Sequence, residues 1–477
     1  MKICLSIAPR STAEALRSLR NAGASADLVE VRIDGIVDLN LPQLLRKPRP
    51  KLIVTNRRAS EGGNYNGTGD EQVRILTEAA CLGAEYVDIE FSWGKHAIRR
   101  LLSGANDAKV IVSYHNFEHT AARLPALARN MKAAGADVIK IATMAKSIED
   151  ASSIFKLMQD IRKNGRTPTI ALCMGERGEV SRILGGKFGG FLTFGSADRS
   201  SVTAPGQRTV DELKNIFRSD TLTSRTKVFG LVGNPVAHSS GIYFHNDVFS
   251  RRSADAVYVN FLVDNLATFI KRFSGMLAGL SVTMPFKQDI LEYLDRVQPD
   301  AEALHAVNTV IVRRNKLHGY NTDLPAIEKL LRRKITLSGK KVLILGTGGT
   351  AATMAFASRR NGAQVTLVGR SLASARKLAA RFGCGALTYD TLSDVSCDVL
   401  INATPVGMDQ AGYRIPSTFL PSGLLRKRML VFDAVYNPPI TKLLRKATAS
   451  GCETISGADL FKEQALLQSR LFLKSIS

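Results

Sequence analysis

The chain has 477 residues, 45% of them hydrophobic, and its 65 Lys and Arg exceed 42 Asp and Glu to give a formal net charge of +23. That length suits roughly three domains of ~150 residues each, and no apolar run approaches the ~18 residues of a membrane span, so no membrane partner is expected. The basic residues are spread out and form no block of five or six, so charge alone does not choose nucleic acid over anionic small molecules.

The six cysteines, Cys4, Cys81, Cys173, Cys384, Cys397 and Cys452, include no CxxC pair. They read as reduced thiols of a cytoplasmic protein without a metal site. The opening "MKICLSIAPR" lacks the apolar core and cleavage site of a signal peptide and reads as a first core strand. Seven further apolar runs follow: 27–33, 51–56, 86–91, 109–114, 137–142, 168–174 and 189–194. Amphipathic stretches separate many of them. Eight such βα units predict a (β/α)8 TIM barrel over residues 1–216, with active-site residues at the carboxyl ends of the strands. Polar residues recur there: Glu30, Arg32, Arg57, Asp88, Glu90, His115, Lys140 and Arg182.

Lys140 stands inside the apolar run "VIKIA" (138–142). A lysine seldom enters a dry core unpaired. Burial beside cations such as Arg32, Arg57 and Arg182 would favour a neutral amine, which can attack a ketone and form a Schiff base. His115, one strand earlier, suits a general acid and base, and Glu61 can fix its tautomer. Taken singly, the lysine reads as a snorkelling edge residue and the histidine as a satisfied core residue. Their convergence on one rim favours chemistry.

Residues 217–227 are polar and aperiodic and read as a linker. A second α/β series starts at 228–233, continues at 257–263 and 277–283, and includes a hairpin strand at 308–314. A third starts with "KVLIL" (341–345) and continues at 364–369, 398–403 and 429–435 as a doubly wound sheet. "LGTGGTAA" (345–352) places Gly346, Gly348 and Ala351 in the G-x-G-x-x-G/A spacing, where bare backbone approaches a pyrophosphate at a helix amino terminus. Gly369, Arg370 and Ser371 stand where an NAD-preferring site carries an acid. An arginine there can hold a 2′-phosphate, so NADP(H) is the expected cofactor. Lys287 is expected at the start of a helix, where a cation opposes the dipole, so a role in stability is disfavoured. Paired with Asp323, it can move a proton at a substrate hydroxyl.

Residues 1–210 resemble type I 3-dehydroquinate dehydratase through "VEVR" (29–32), "RRASEGG" (57–63), "SYHNF" (113–117), "VIKIA", "SRILGGKFGG" around Arg182 and "TAPGQ" (203–207). The resemblance implies a Schiff base on Lys140, acid/base work by His115 and orientation of that ring by Glu61. It implies substrate binding by Ser6, Glu30, Arg32, Arg57, Arg182, Thr203 and Gln207. Residues 228–475 resemble shikimate dehydrogenase through "GNPVAHS" (233–239), "SVTMPFK" (281–287), "AVNT" (306–309), "GYNTD" (319–323), "NATPVGM" (402–408) and "FDAVYNP" (432–438). That implies catalysis by Lys287 and Asp323, with Ser239 at the substrate carboxylate. Thr283, Asn308, Tyr436 and Gln464 would complete substrate binding. Thr347, Gly349, Thr350, Thr404, Val435 and Gly457 would join Gly346, Gly348, Gly369, Arg370 and Ser371 at NADP.

"HSSGI" (238–242) departs from the usual H-S-x-S-P: Gly241 replaces a carboxylate-binding serine, a role Ser240 could take over. The expected layout is a barrel (1–216), a linker (217–227), a substrate lobe (228–335), a Rossmann-like lobe (336–455) and a returning helix (456–477). The implied substrates are 3-dehydroquinate, 3-dehydroshikimate and shikimate, with no nucleic acid. Quinate use, a reductase weakened by Gly241, and a basic nucleic-acid-binding protein on an enzyme-like fold are the rival readings.

Overall fold

The computed structural model describes residues 1–22, 25–165, 167–237, 239–392, 395–408, 421 and 423–476. His238 of the "GNPVAHS" motif lies outside the described residues. The chain divides into two compact units, Met1–Leu277 and Ala278–Ser477.

In the first unit each of the eight apolar runs forms a strand: β1 (Lys2–Ile7), β2 (Leu28–Arg32), β3 (Leu52–Thr55), β4 (Tyr86–Glu90), β5 (Lys109–Asn116), β6 (Val138–Met144), β7 (Thr169–Met174) and β8 (Leu192–Gly195). They run parallel in the order β7-β6-β5-β4-β3-β2-β1-β8. Phe191, just ahead of β8, donates its N–H to the Thr169 carbonyl at 2.8 Å, so β7 and β8 approach and the barrel is nearly closed.

Alternation along the strands sorts the interior into layers. Cys4, Leu28, Ile53, Ile111 and Val138 belong to the apolar cluster at the base. Two residues further along the same strands stand Ser6, Glu30, Thr55, Ser113 and Lys140, all buried. The carboxyl end of the barrel therefore carries a polar layer on an apolar floor. Strand register sets Ser6 beside Glu30 and Ser113 beside both Glu90 and Lys140.

The expected linker is packed. Phe217 and Leu222 are buried, and Lys187 Nζ donates to the carbonyls of Ser224 and Thr226 at 2.9 and 2.8 Å. The parallel pair β9 (Lys227–Gly233) and β10 (Ala256–Leu262) follows, joined by the helix Gly241–Arg251.

In the second unit, β11 (Leu277–Val282, its first residue at the boundary) pairs antiparallel with β13 (Thr309–Arg313). The latter forms a hairpin with β14 (Lys316–Tyr320), and the two-residue β12 (Arg296–Val297) pairs with β14. The remaining strands are β15 (Lys341–Leu345), β16 (Gln364–Gly369), β17 (Gly385–Thr388), β18 (Val399–Asn402), β19 (Leu430–Asp433) and β20 (Glu453–Ile455). Their parallel order, β17-β16-β15-β18-β19-β20, is the 3-2-1-4-5-6 order of a dinucleotide-binding sheet. Ligands of such sheets sit where the order reverses, here between β15 and β18. The helix Gly457–Ile476 packs on β13 through Gln468, whose Nε2 donates to the Asn308 carbonyl (3.0 Å) and Thr309 Oγ1 (2.9 Å). Among the described residues no helix is long and apolar enough to cross a membrane.

Candidate active sites

At the carboxyl end of the barrel, Lys140, His115 and Glu61 line one cavity together with Ser6, Glu30, Arg32, Arg57, Arg182, Thr203 and Gln207. Lys140 is buried, with Nζ 2.9 Å from both Glu30 Oε1 and Asp88 Oδ2 and 4.4 Å from the centroid of Phe194. The expectation of cationic neighbours needs correcting. Arg57 turns to Asp88 (2.8 Å) and Glu90 (2.9 Å), and the direct partners of Lys140 are carboxylates. Buried charges persist only when paired, and the barrel supplies acids for both cations. Burial opposes the ionisation of Asp88, but Arg57 and Lys140 outweigh it and hold that carboxyl well below its usual range. Lys140 also outweighs the burial of Glu30, which is lowered.

His115 is shifted down as well, which for an imidazole favours the uncharged form. Burial, then the charges of Arg57 and Lys140, hold its imidazole well below the ordinary value, so the ring is neutral. Nδ1 lies 3.1 Å from Glu61 Oε2, and the His115 backbone N–H donates to the same oxygen at 3.0 Å. A carboxylate accepts, so Nδ1 carries the hydrogen and Nε2 keeps a free lone pair. Ser92 Oγ donates to Glu61 Oε1 at 2.7 Å and fixes that carboxylate in turn. Sequence reasoning missed Ser92. It missed Asp34 as well, which accepts Arg32 Nε and Nη2 at 2.7 Å each and the backbone N–H groups of Arg57 and Asn64.

Two donors at this cavity are left over. Arg182 Nε and Gln207 Nε2 are buried without a hydrogen-bond partner, and burial lowers the Arg182 guanidinium to about 10. Unpaired buried donors are costly and mark places where a ligand completes the bonding. Gln207 Oε1 accepts from Thr203, whose Oγ1 also donates to Ser6 Oγ at 3.0 Å.

Elsewhere in this unit, Ser239 Oγ accepts the Gly241 N–H at 3.2 Å. Ser240 is exposed at the start of the helix Gly241–Arg251. A Cβ at Gly241 would lie 3.2 Å from Ser239 Oγ and 3.4 Å from the Tyr258 hydroxyl.

In the second unit Lys287 Nζ donates to Asp323 Oδ2 at 2.7 Å, and both side chains are partly exposed. The expected helix start at Lys287 is also corrected. Lys287 follows β11 in a turn, ahead of the 3-10 stretch Asp289–Tyr293. Asp323 is the residue that opens a helix, Asp323–Arg332, where an anion suits the dipole. Asn308 is buried and engaged by Thr322. Thr283 and Gln464 are half-buried, and Gln464 shares a helix face with the anchoring Gln468, one turn on.

At the β15/β18 crevice, Gly346 has φ +115°, and a Cβ there would lie 3.1 Å from both the Ala403 carbonyl oxygen and Thr404 Cγ2. Gly348 and Gly349 face open space at the amino terminus of the helix Gly349–Arg360. Thr347 Cγ2 would lie 3.0 Å from a Cβ at Gly369. Arg370 is exposed just past β16, and Ser371 caps the next helix by accepting the Ser374 N–H. Gly457 approaches the backbone of Val435 so closely that a Cβ would sit 2.4 Å from it. Tyr436 stacks on Phe461 with centroids 6.0 Å apart. Among the described residues no cluster of three or more His, Cys, Asp or Glu is placed to hold a metal ion.

Residues 3–224 match the family model of type I 3-dehydroquinase. Residues 231–310 match the shikimate dehydrogenase substrate binding domain, and 329–407 match shikimate / quinate 5-dehydrogenase. The chain is 38% identical over 475 residues to a chloroplastic bifunctional 3-dehydroquinate dehydratase/shikimate dehydrogenase of Arabidopsis thaliana, covering 94% of this chain and 77% of that one. The chain belongs to the bifunctional 3-dehydroquinate dehydratase/shikimate dehydrogenase family. Two further relatives agree. The shikimate biosynthesis protein AroDE of Chlamydia pneumoniae is 28% identical over 477 residues, covering 98% of this chain and 95% of its own. A shikimate dehydrogenase (NADP(+)) of Pyrococcus abyssi is 38% identical over 234 residues, covering 48% of this chain and 86% of its own. Membership in this family sets the barrel cavity in the dehydratase part, and the Lys287–Asp323 pair and the β15/β18 crevice in the dehydrogenase part.

Proposed function

We propose that the barrel dehydrates 3-dehydroquinate to 3-dehydroshikimate through a Schiff base on Lys140. The observation that carries this is the meeting of a buried lysine, a neutral histidine and unpaired donors in one cavity. The amine condenses with the ketone and water leaves. The iminium then takes up the electrons of the adjacent C–H bond as His115 Nε2 accepts the proton. His115 returns that proton to the departing hydroxyl, which leaves as water, and hydrolysis of the imine restores Lys140. The contacts of Nζ to Glu30 and Asp88 must part before the amine attacks. Arg182 and Gln207 offer free donors to the substrate, with Ser6, Thr203, Arg32 and Arg57 around them. Borohydride added with 3-dehydroquinate should trap a covalent adduct on Lys140, seen by peptide mass mapping. An active enzyme that yields no adduct would sink the assignment.

We infer that the second activity reduces 3-dehydroshikimate to shikimate, with Lys287 and Asp323 handling the proton at the new hydroxyl. Bound at the β15/β18 crevice, NADPH supplies the hydride. The open space beside Gly348 and Gly349 at a helix amino terminus fits its phosphates. Thr347, Thr350, Thr404, Val435 and Gly457 would line the rest of the cofactor. Arg370 favours the 2′-phosphate, in line with the NADP(+) named for the Pyrococcus abyssi relative. Ser239 would take the substrate carboxylate, and Thr283, Asn308, Tyr436 and Gln464 its other groups.

Two rival readings concern the reductase: use of quinate, or an activity weakened by Gly241, where a serine hydroxyl is missing. Kinetics with shikimate and quinate, each with NADP and NAD, separate the two. The domain limits proposed are 1–216, 217–227, 228–335, 336–455 and 456–477. We place the protein in the cytoplasm, since all six cysteines are free thiols; cell fractionation tests this.

A further inference from the structure

Arg177 sits in the turn Glu176–Gly178 directly after β7, the strand that brings Met174 to the dehydratase cavity. Its guanidinium makes two parallel bonds to Asp264, Nε to Oδ2 at 2.8 Å and Nη2 to Oδ1 at 2.9 Å. Asp264 follows β10, and its Oδ1 also accepts Asn234 Nδ2 at 3.0 Å. Asn234 opens the loop after β9 that carries Ser239 and leads into the helix beginning at Gly241. A continuous line of hydrogen bonds therefore runs from the dehydratase rim to the entrance of that loop.

A second tie lies just past the loop. The Tyr243 hydroxyl accepts Arg199 Nη2 at 3.0 Å and faces Glu212 Oε1 at 3.4 Å. Arg199 belongs to the segment after β8 that includes Thr203, another lining residue of the dehydratase cavity. Between the two ties, Asn260 Nδ2 holds the Val236 carbonyl at 3.0 Å.

We propose that the dehydratase rim positions the loop that binds the reductase substrate's carboxylate, with Arg177 acting through Asp264 and Asn234 as a positioning residue. This rests on the reading of Ser239 given above. Exposed ion pairs add little to global stability. A two-pronged arginine–carboxylate contact instead fixes direction. The expected consequence is a change in substrate binding without a change in the hydride step.

The test uses the full chain. Arg177→Ala and Asp264→Asn should each raise the reductase KM for 3-dehydroshikimate about threefold to tenfold, the scale of an ordinary intramolecular hydrogen bond, since this pair is solvent-exposed. The reductase kcat and the KM for NADPH should stay within about twofold, since neither residue meets the reacting atoms. The double variant should be no worse than the worse single, because both act through one contact. Arg177→Lys should recover only part of the loss, since an ammonium cannot form the fork. An active wild type whose KM is unmoved by either substitution, or single effects that multiply in the double variant, would overturn the proposal. A wild type without reductase activity would instead overturn the reductase reading, and this proposal with it.

Discussion

His115 lies largely out of solvent between Arg57, Lys140 and the Glu61 carboxylate, and desolvation, then the two cations, makes a proton on its ring expensive. The sign of the resulting pH dependence follows directly. An unfolded imidazole titrates near ~6.5, whereas the folded one titrates well below that. As pH falls through ~6.5 the unfolded chain binds a proton that the folded chain refuses, and stability is lost. The loss should approach about 1.4 kcal/mol per pH unit until the folded value is reached. His115→Asn should flatten this part of the curve in denaturant titrations between about pH 6.5 and 5. The acid limb of dehydratase kcat/KM should likewise lie below ~6.5, because the ring must be neutral to act as a base; a limb above that value would contradict the base assignment. Gly241 poses a steric question at the same scale. A serine Cβ there meets Ser239 Oγ and Tyr258 at 3.2–3.4 Å, so it fits only if they yield by a few tenths of an ångström. With that relaxation, Gly241→Ser should lower the reductase KM for 3-dehydroshikimate by about tenfold or more, the worth of one hydrogen bond to a charged group. An unchanged KM would show that another group already fills the role.

β18 and β19 end on a shared buried carboxylate. Asp433 Oδ1 accepts Asn402 Nδ2 at 2.8 Å and the Val435 N–H at 3.1 Å, while Oδ2 accepts the Thr441 hydroxyl at 2.5 Å. Asn402 Oδ1 accepts both Thr404 N–H and Thr404 Oγ1 in turn. Burial pushes the Asp433 carboxyl up, and its three donors only partly offset that. One side chain thus ties together the strand ends carrying Thr404 and Val435. Asp433→Ala should cost about 2–4 kcal/mol in stability, since buried donors lose their acceptor, and should raise the KM for NADPH. Asp433→Asn retains an acceptor and should cost much less. Equal effects of the two substitutions would rule out this account.

How much of this was legible depended on the length over which a signal is written. The eight barrel strands each announce themselves as an apolar run, and the glycine motif after β15 sits in four or five consecutive positions. Lys140, His115, Arg32 and Arg57 could be assigned to one rim because each stands on an apolar strand or just past it, whereas Arg182, expected at a strand end, lies in the helix Glu179–Leu184 beyond β7 and reaches the cavity from there. Their partners could not. Whether Lys140 meets an acid or a cation depends on how β2, β4 and β6 curve toward one another, which no local pattern records. Ser92, Asp34, Gln468 and Asp433 act across elements distant in sequence. Lys287 was expected at a helix start because a strand precedes it, but the chain turns first and the helix dipole falls to Asp323. The short strands β12, β17 and β20 lack an apolar run long enough to see.

The whole molecule joins two activities whose first product is the second substrate. Lys140→Ala should abolish dehydration and leave 3-dehydroshikimate reduction intact, and Asp323→Asn should do the reverse. Loss of both activities in either folded variant would argue against separate sites. Mixing the two variants should restore 3-dehydroquinate-to-shikimate flux, followed by NADPH consumption, after a lag while the intermediate builds up in solution. The intermediate is a carboxylate and the chain carries +23. A net positive field raises the local concentration of anions, over ~30 Å at 0.01 M salt but only ~3 Å at 1 M. At equal concentrations of each active site, the wild-type lag should therefore be shorter than the mixture's at low salt. The two should converge at high salt. Equal lags at every salt concentration would mean that the intermediate always escapes before capture and that the charge serves substrate uptake alone.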